Sequence, residues 1–391
     1  MKTEKKVKIL SVVLIFAMLC GSISAVASEM SAGSIDANAT LDLDCRSAIL
    51  MDAATGTVLY EQNADEPLPP ASVTKIMTLL IVMEAIEVGA LKLDEQISAS
   101  ANAASMGGSQ IFLEEGETMS VEDLLKSVVI SSANDAAVAL AEHVAGSEEA
   151  FVQKMNARAK ELGMKNTRFE NTNGLDDTVT EHLTSARDIA LMSRALIKHE
   201  KILEYSSIWM DTIRNGEFGL TNTNRLVRFY NGATGLKTGS TSKAKFCVSA
   251  TAKRNGMHLI CVIMGAETRD ERNAIATKLL DYGFANYSLF SAPGQKLEEI
   301  KVIGGTEDTC GVSFDEFNVV VGKGEDSKIT ASLELAEALV APVKIGDVAG
   351  KIVYKCGDKT VGEVNITATE NIEKIKYSNI LGRILVGMLI K

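Results

Sequence analysis

Two runs of strand character stand on either side of a long helical block, and this arrangement limits the fold more than any other feature. The first, "AILMDAATGTVLYEQNADEP", reads as two strands around an Ala54-Thr55-Gly56 turn. Strand character returns at "ATGLKTGST", "KFCVSATAK" and "HLICVIMGA", and the last two flank Asn255-Gly256, a strong hairpin signal. Between them, from about Ser72 to His199, apolar residues recur at helical spacing with capping and turn signals between segments. "RDERNAIATKLLDYGFANY" then reads as a closing helix. Strands at both ends with helices between imply an α+β domain whose sheet is assembled from distant segments.

Near Ser291-Ala292-Pro293-Gly294 the pattern changes to short alternating runs ("FNVVVG", "GKIVYKCG", "VGEVNITA"), as expected of a small all-β module. The tail "ENIEKIKYSNILGRILVGMLIK" differs again. Ile375, Ile380, Leu381, Ile384, Leu385, Met388 and Leu389 recur at three and four, flanked by lysines and an arginine. Its apolar part is shorter than the about 20 residues a bilayer requires, so an amphipathic helix lying in the membrane interface is expected. The expected organisation is a signal peptide at 1–27, a small polar linker at 28–41, a catalytic domain at 42–290, an all-β domain at 291–370 and a membrane-associating helix at 371–391.

The first segment has a basic start (Lys2, Lys5, Lys6, Lys8), an apolar run from Ile9 to Cys20 and an Ala25-Val26-Ala27 cleavage signature. Leu19 stands where a small residue belongs before a lipidated cysteine, so cleavage and export are expected rather than lipidation at Cys20. Losing four lysines and Glu4 would take the formal charge from −11 to −14. So acidic a chain is a poor nucleic-acid binder, and no nucleic-acid partner is expected. Cys45, Cys247, Cys261, Cys310 and Cys356 remain, an odd number at scattered spacing and no disulfide framework. Pairing across the Asn255-Gly256 turn would set Ala250 opposite Cys261 and turn Cys247 to the other face.

"PPASVTKIMTLL" places Ser72 and Lys75 three apart, on one face of a helix that begins near Ala71 or Ser72. A serine is a weak nucleophile until a base takes its proton. Lysine can be that base only if burial or a second cation lowers its pKa, and the apolar run from Ile76 to Met83 offers the burial. Alone the motif is weak, because S-x-x-K also occurs at Ser240–Lys243 and Ser242–Lys245, and Ser72 could simply cap a helix. Ser132-Ala133-Asn134 adds a second motif, with a decoy at Ser100-Ala101-Asn102, and Lys237-Thr238-Gly239 occurs once. The three together, in this order, are the signature of class A β-lactamases and penicillin-binding proteins. Ser132 can relay a proton, Asn134 can hold Lys75, and Lys237 can lower the Lys75 pKa and attract a carboxylate. An edge strand at 234–240 could pair with an extended peptide, with Gly239 permitting close approach. Backbone N–H groups of Ser72 and Ser240 are candidates for an oxyanion hole.

With these residues in hand, the chain resembles the low-molecular-mass penicillin-binding proteins, the serine D-alanyl-D-alanine carboxypeptidases. The resemblance spans nearly all of the chain beyond residue 27, including "GSQIFLEEGE", "SSANDAAVALAEHVAG", "ELGMKNTRFENTNGLDD", "HLTSARDIALM" and "GLKTGSTSKAKFC". It implies Ser72 as the acylated nucleophile, Lys75 as base, Ser132 and Asn134 as relay and positioning groups, and Lys237, Thr238 and Arg272 as binders of a substrate carboxylate. It also implies, as partners, peptidoglycan stem peptides ending in D-Ala-D-Ala and β-lactams as covalent inhibitors, while the amphipathic tail is expected to attach the exported chain to the outer face of the cytoplasmic membrane. No cofactor and no metal are implied. Two departures stand out: Lys245 occupies a position usually held by glycine, and Ser240 follows K-T-G where bulkier residues are also common.

Other polar residues invite plainer readings. His182 is expected either to line the site or to make a structural hydrogen bond, and Glu114, Glu115 and Glu117 to form a solvated acidic loop. His143, His199 and His258 lack zinc-binding spacing, which argues against a metallopeptidase. A β-lactamase is the nearest rival, but no E-x-x-L-N pattern supplies its deacylating glutamate. A catalytically silent wall-binding protein is the other, opposed by the intact Ser72, Lys75, Ser132, Asn134 and Lys237.

Overall fold

The computed structural model describes residues 41–177 and 179–376. The expected signal peptide, all but the last residue of the linker, and the tail from 377 onward lie outside these residues. The first strand pair is as expected: β1 (Ser47–Asp52) and β2 (Val58–Gln62) run antiparallel across the 54–56 turn. Late in the chain come β3 (Ala233–Thr241), β4 (Lys245–Arg254) and β5 (Met257–Ala266), the last two joined at Asn255-Gly256. The five strands form one antiparallel sheet in the order β2-β1-β5-β4-β3, so β3 is an edge strand.

The apolar run of β5 is explained by burial on both faces. Ile49, Ile260, Val262 and Met264 pack on one side against the helical block. Leu50, Val248, Ala250, Cys261 and Ile263 pack on the other against the closing helix, here α5 (Arg269–Asn286). Ala250 is the register partner of Cys261, as the hairpin predicts, and Cys247 lies in the opposite core. All five cysteines of the described chain are unpaired.

The helical block contains α1 (Lys75–Glu87), α2 (Asn134–Ala145), α3 (Glu148–Glu161) and α4 (Ala186–Leu196). α1 is buried continuously from Lys75 to Met83, which accounts for a sequence without a polar stripe. The block is less uniform than expected. Gln96–Ser98 pairs antiparallel with Thr118–Ser120, and a loop after α3 is held by bridges of Leu68 to Thr184 and Arg168 to Leu183. These strands are too short to show a period of two.

After α5 the described chain is β-rich, and the α+β class with a following all-β region is the observed architecture. β6 (Tyr287–Ala292) pairs with β9 (Phe317–Gly322). Between them lie β7 (Ile300–Ile303) and β8 (Val312–Phe314). Then follow β10 (Ile329–Leu335), β11 (Ala338–Val340), β12 (Val348–Cys356) and β13 (Lys359–Ala368). Residues 371–376 correct one expectation. Placed at the start of the terminal helix, they instead extend along this region, with Ile372 bridging Val343 and Lys374 bridging Gly305. Their backbone groups find partners in the β-region, and Ile372 is buried there.

Candidate active site

Ser72 sits in a 3₁₀ turn, Ala71–Thr74, that leads into α1. Tertiary contact shapes this turn: Ala71 has φ +48°, and Thr74 Oγ1 donates to Ala71 O at 2.8 Å. Gly174 (φ +85°) packs so closely that a Cβ there would stand 1.8 Å from Ala71 O. The loop carrying Gly174 also places Asn173 O beside the first residue of α1.

Lys75 is fully buried, and its Nζ has three neighbours: Ser72 Oγ at 3.0 Å, Asn134 Oδ1 at 2.5 Å and Asn173 O at 2.9 Å. Burial holds the Lys75 ammonium well below its ordinary pKa, and the Lys237 charge pushes the same way, with Asp135 opposing. All three neighbours are oxygens to which Nζ can donate, and once neutral the same amine stands within reach of the Ser72 proton.

Ser132 ends a widened helical turn, Ser127–Ser131, in the left-handed region at φ +65°, and Asn134 opens α2. Asp135 fixes this junction, its buried carboxylate accepting from Ile111 N and Leu113 N at 3.0 and 3.1 Å. Asn134 Nδ2 donates to Gly107 O at 2.6 Å, which leaves its oxygen for Lys75.

From the sheet's edge, Lys237 Nζ donates to Ser132 Oγ at 2.8 Å and to Thr238 O at 3.0 Å. Burial, then the Arg272 charge, lower Lys237 to about 7. Thr238 Oγ1 donates to Thr223 Oγ1 at 2.7 Å. Gly239 lies against the turn at Ser72, and a Cβ there would come within 2.8 Å of Pro70 O and Ser72 N. Arg272, on α5, is buried and donates to Asn273 Oδ1 at 2.9 Å.

Ser72, Ser132, Thr238, Gly239, Ser240 and Arg272 all line one cleft of about 660 Å³. Lys75, Asn134 and Lys237 lie behind its wall and reach it through the two serines. Among the described residues no hydrogen bond joins Ser132 to Lys75, so the two lysines each serve a different hydroxyl. The sequence reading missed Asn173, whose contribution is a backbone carbonyl, and Thr223. It also missed the outer wall of Arg225, Arg269, Trp209 and Phe229. The Asn- and Gly-rich "NTNGLDD" signals a loop there but not its carbonyl's target.

Two plainer readings are resolved. His182 Nδ1 accepts from Glu170 N at 3.0 Å and its Nε2 lies 2.8 Å from Thr74 Oγ1, so it ties the loop after α3 to the turn. Burial lowers it to about 4. Glu117 is not simply solvated: it pairs with Arg214 at 2.7 Å, where a polar loop and a hairpin meet. Among the described residues no group of three His, Cys, Asp or Glu side chains could hold a metal.

Comparison with known proteins agrees with this geometry. Residues 34–268 match the D-alanyl-D-alanine carboxypeptidase family, peptidase S11, and residues 284–374 match the C-terminal domain of penicillin-binding protein 5. The chain is 42% identical over 347 residues to D-alanyl-D-alanine carboxypeptidase DacF of Bacillus subtilis, covering 87% of this chain and 89% of that one. It is 37% identical to DacC of Escherichia coli, covering 85% of each. The crystal structure of penicillin binding protein 5 from Haemophilus influenzae superposes with a TM-score of 0.75 at 31% identity, covering 86% of this chain and 99% of that one. Motifs, fold and relatives converge: the chain belongs to the D-alanyl-D-alanine carboxypeptidase family of serine peptidases.

Proposed function

We propose that the chain is an exported enzyme that removes the terminal D-alanine from peptidoglycan stem pentapeptides through an acyl-enzyme on Ser72. The observation that carries this reading is the buried Lys75 Nζ 3.0 Å from Ser72 Oγ, with its ammonium form disfavoured. In the proposed step, Lys75 takes the Ser72 proton as Oγ attacks the penultimate carbonyl carbon. The developing oxyanion is met by the N–H groups of Ser72 and Ser240, a role supported by the close backing of Gly239 on the Ser72 turn. The C–N bond then breaks and the leaving amine takes a proton through Ser132. Asn134 orients Lys75, while Lys237, Thr238 and Arg272 receive the substrate's terminal carboxylate. Water attacks the acyl-enzyme in turn and releases the shortened peptide. A β-lactam would acylate the same serine, its opened ring keeping the leaving nitrogen tethered in the cleft.

D-alanine release from a peptide ending in D-Ala-D-Ala, measured for residues 28–375 beside a Ser72→Ala control, tests the reaction and its nucleophile together. Release that vanishes in the control is expected. No release from a folded protein would return the silent binder and the β-lactamase to consideration. We further propose that the β-region is a spacer and that the segment beyond it attaches the enzyme peripherally to the outer membrane face. Among the described residues no helix is long and apolar enough to cross a membrane. Deleting Lys376–Lys391 should release the protein from membranes with soluble activity intact, and continued retention would refute the anchor.

A further inference from the structure

Ile303 and Val340 are register partners in the parallel pairing of β7 and β11, so they stand side by side on one face. They are 60% and 70% exposed, and Ile345, at a nearby turn, is 63% exposed. Each is tied to the strip 371–376 or to a neighbour of it. Ile375 N donates to Gly304 O, Val343 and Ile372 exchange backbone bonds, and Ala341 N donates to Ile303 O. Ile345 N donates to Asn371 Oδ1 at 2.9 Å. The described chain therefore leaves at Lys376 beside Ile303 and its partner Val340, while Ile345 stands at the other end of the strip, beside Asn371.

These side chains are not the ragged edge of a core. Behind them Val302, Cys310, Val343, Ala368 and Ile372 form a closed cluster of their own, separate from the cluster that joins the β-region to α5 through Val320. Nor is this end strongly charged. Lys344, Lys374 and Lys376 alternate with Glu307, Asp347 and Glu373, so an anionic polymer has no basic surface to recognise. Single exposed apolar side chains are ordinary, but adjacent ones such as Ile303 and Val340 make a patch of the kind that marks a contact site.

We propose that Ile303, Val340 and Ile345 form a second membrane contact, dipping into the lipid interface beside the segment that follows Lys376. The proposal rests on the reading that this segment binds the membrane. Its sequence offers six apolar residues at helical spacing after Ile375, more than three side chains could cover, so back-folding would leave apolar surface bare on the segment. A lipid interface accepts both sets at once. The first attachment holds the second close to the surface, so a weak contact suffices to orient the β-region.

The test uses residues 28–391 carrying Ile345→Trp, with phosphatidylethanolamine–phosphatidylglycerol vesicles whose acyl chains are plain or brominated. The native chain has one tryptophan, Trp209, which lines the cleft and supplies the background. Insertion is expected to let brominated lipid quench the added emission about twofold, while Trp209 is unaffected. A triple variant, Ile303→Ser with Val340→Ser and Ile345→Ser, should lower vesicle partitioning roughly tenfold, leaving the melting temperature and soluble peptidase activity unchanged. Sedimentation with vesicles but no quenching, or unchanged partitioning of the triple variant, would overturn the second contact and leave the anchor standing. Absence of binding by the native chain would overturn both. Blue-shifted emission from the added tryptophan without vesicles, lost on deleting 377–391, would overturn the second contact by showing that the tail covers this surface instead.

Discussion

Two lysines are buried within one site, and their neighbours divide the work between them. Lys75 faces a hydroxyl and two carbonyl-type oxygens, and burial, then the Lys237 charge, disfavours its ammonium form. Lys237 faces Ser132 and its own neighbour's carbonyl, and burial, with the Arg272 charge adding to it, lowers it to about 7. If Lys237 binds a carboxylate as a cation, binding is present below about pH 7 and lost as pH rises through it. Arg272→Gln removes the like charge, so the basic limb of kcat/KM should move to higher pH even as KM rises. A limb that stays in place would exclude Lys237 as its origin. The sign for stability runs the other way. The folded pKa lies below the unfolded value of about 10.4, so folding releases protons and stability rises with pH between about 7 and 10.4. Lys245, the departure noted in the sequence, has φ +56°, a region costly for a residue with a Cβ. Its ion pair with Glu267, 3.1 Å between half-exposed groups, is worth little. Lys245→Gly should therefore stabilise the fold by up to about 1 kcal/mol, with kcat unchanged because Lys245 lies outside the cleft. A fall in the denaturation midpoint would contradict this.

At the scale of elements, the site is a meeting of three chain segments that have little hold on one another in sequence. The turn before α1 is shaped by the loop after α3, and the turn before α2 is held by Asp135, whose carboxylate gathers the N–H groups of Ile111 and Leu113. Asp135→Ala would leave both donors buried without partners, at about 1–3 kcal/mol each. A drop in the urea midpoint with an unchanged m-value is expected, with kcat reduced through the neighbouring Asn134 and partly restored by Asp135→Asn. An unchanged midpoint would mean that the 107–113 loop has another support. This is also where legibility in the sequence ends. The strands, the hairpin register and the closing helix follow from period and turn chemistry. Ser72, Lys75, Ser132, Asn134 and Lys237 were found because their side-chain types recur in an ordered set of motifs. Asn173 enters through a carbonyl that every residue possesses. Trp209, just before the hairpin of Met210–Ile213 and Phe218–Thr221, and Phe229, at the end of the short helix Leu226–Phe229, reach the cleft through tertiary packing. No local pattern encodes such convergence.

At the scale of the molecule, the β-region is attached through a shared core, which makes it more than a bead on a thread. Tyr287 and Val320 pack with Tyr60 and Leu280 in the cluster under α5. Tyr282 lies edge-on to both Tyr60 and Tyr287, at 6.4 and 5.9 Å between ring centroids. A chain truncated after Asn286 would uncover these rings, and burying about 100 Å² of apolar surface is worth about 2.5 kcal/mol. Residues 42–286 should therefore melt several degrees lower than residues 42–376. None of the groups at Ser72, Ser132 or Lys237 bonds to the β-region, so kcat on a short soluble peptide should be the same for both chains. Equal kcat with a lowered melting temperature would support a spacer that stabilises the catalytic part without touching its chemistry. A several-fold loss of kcat in a truncated chain that remains folded would mean that α5, which carries Arg272 and ends at Asn286, transmits the state of the β-region to the cleft.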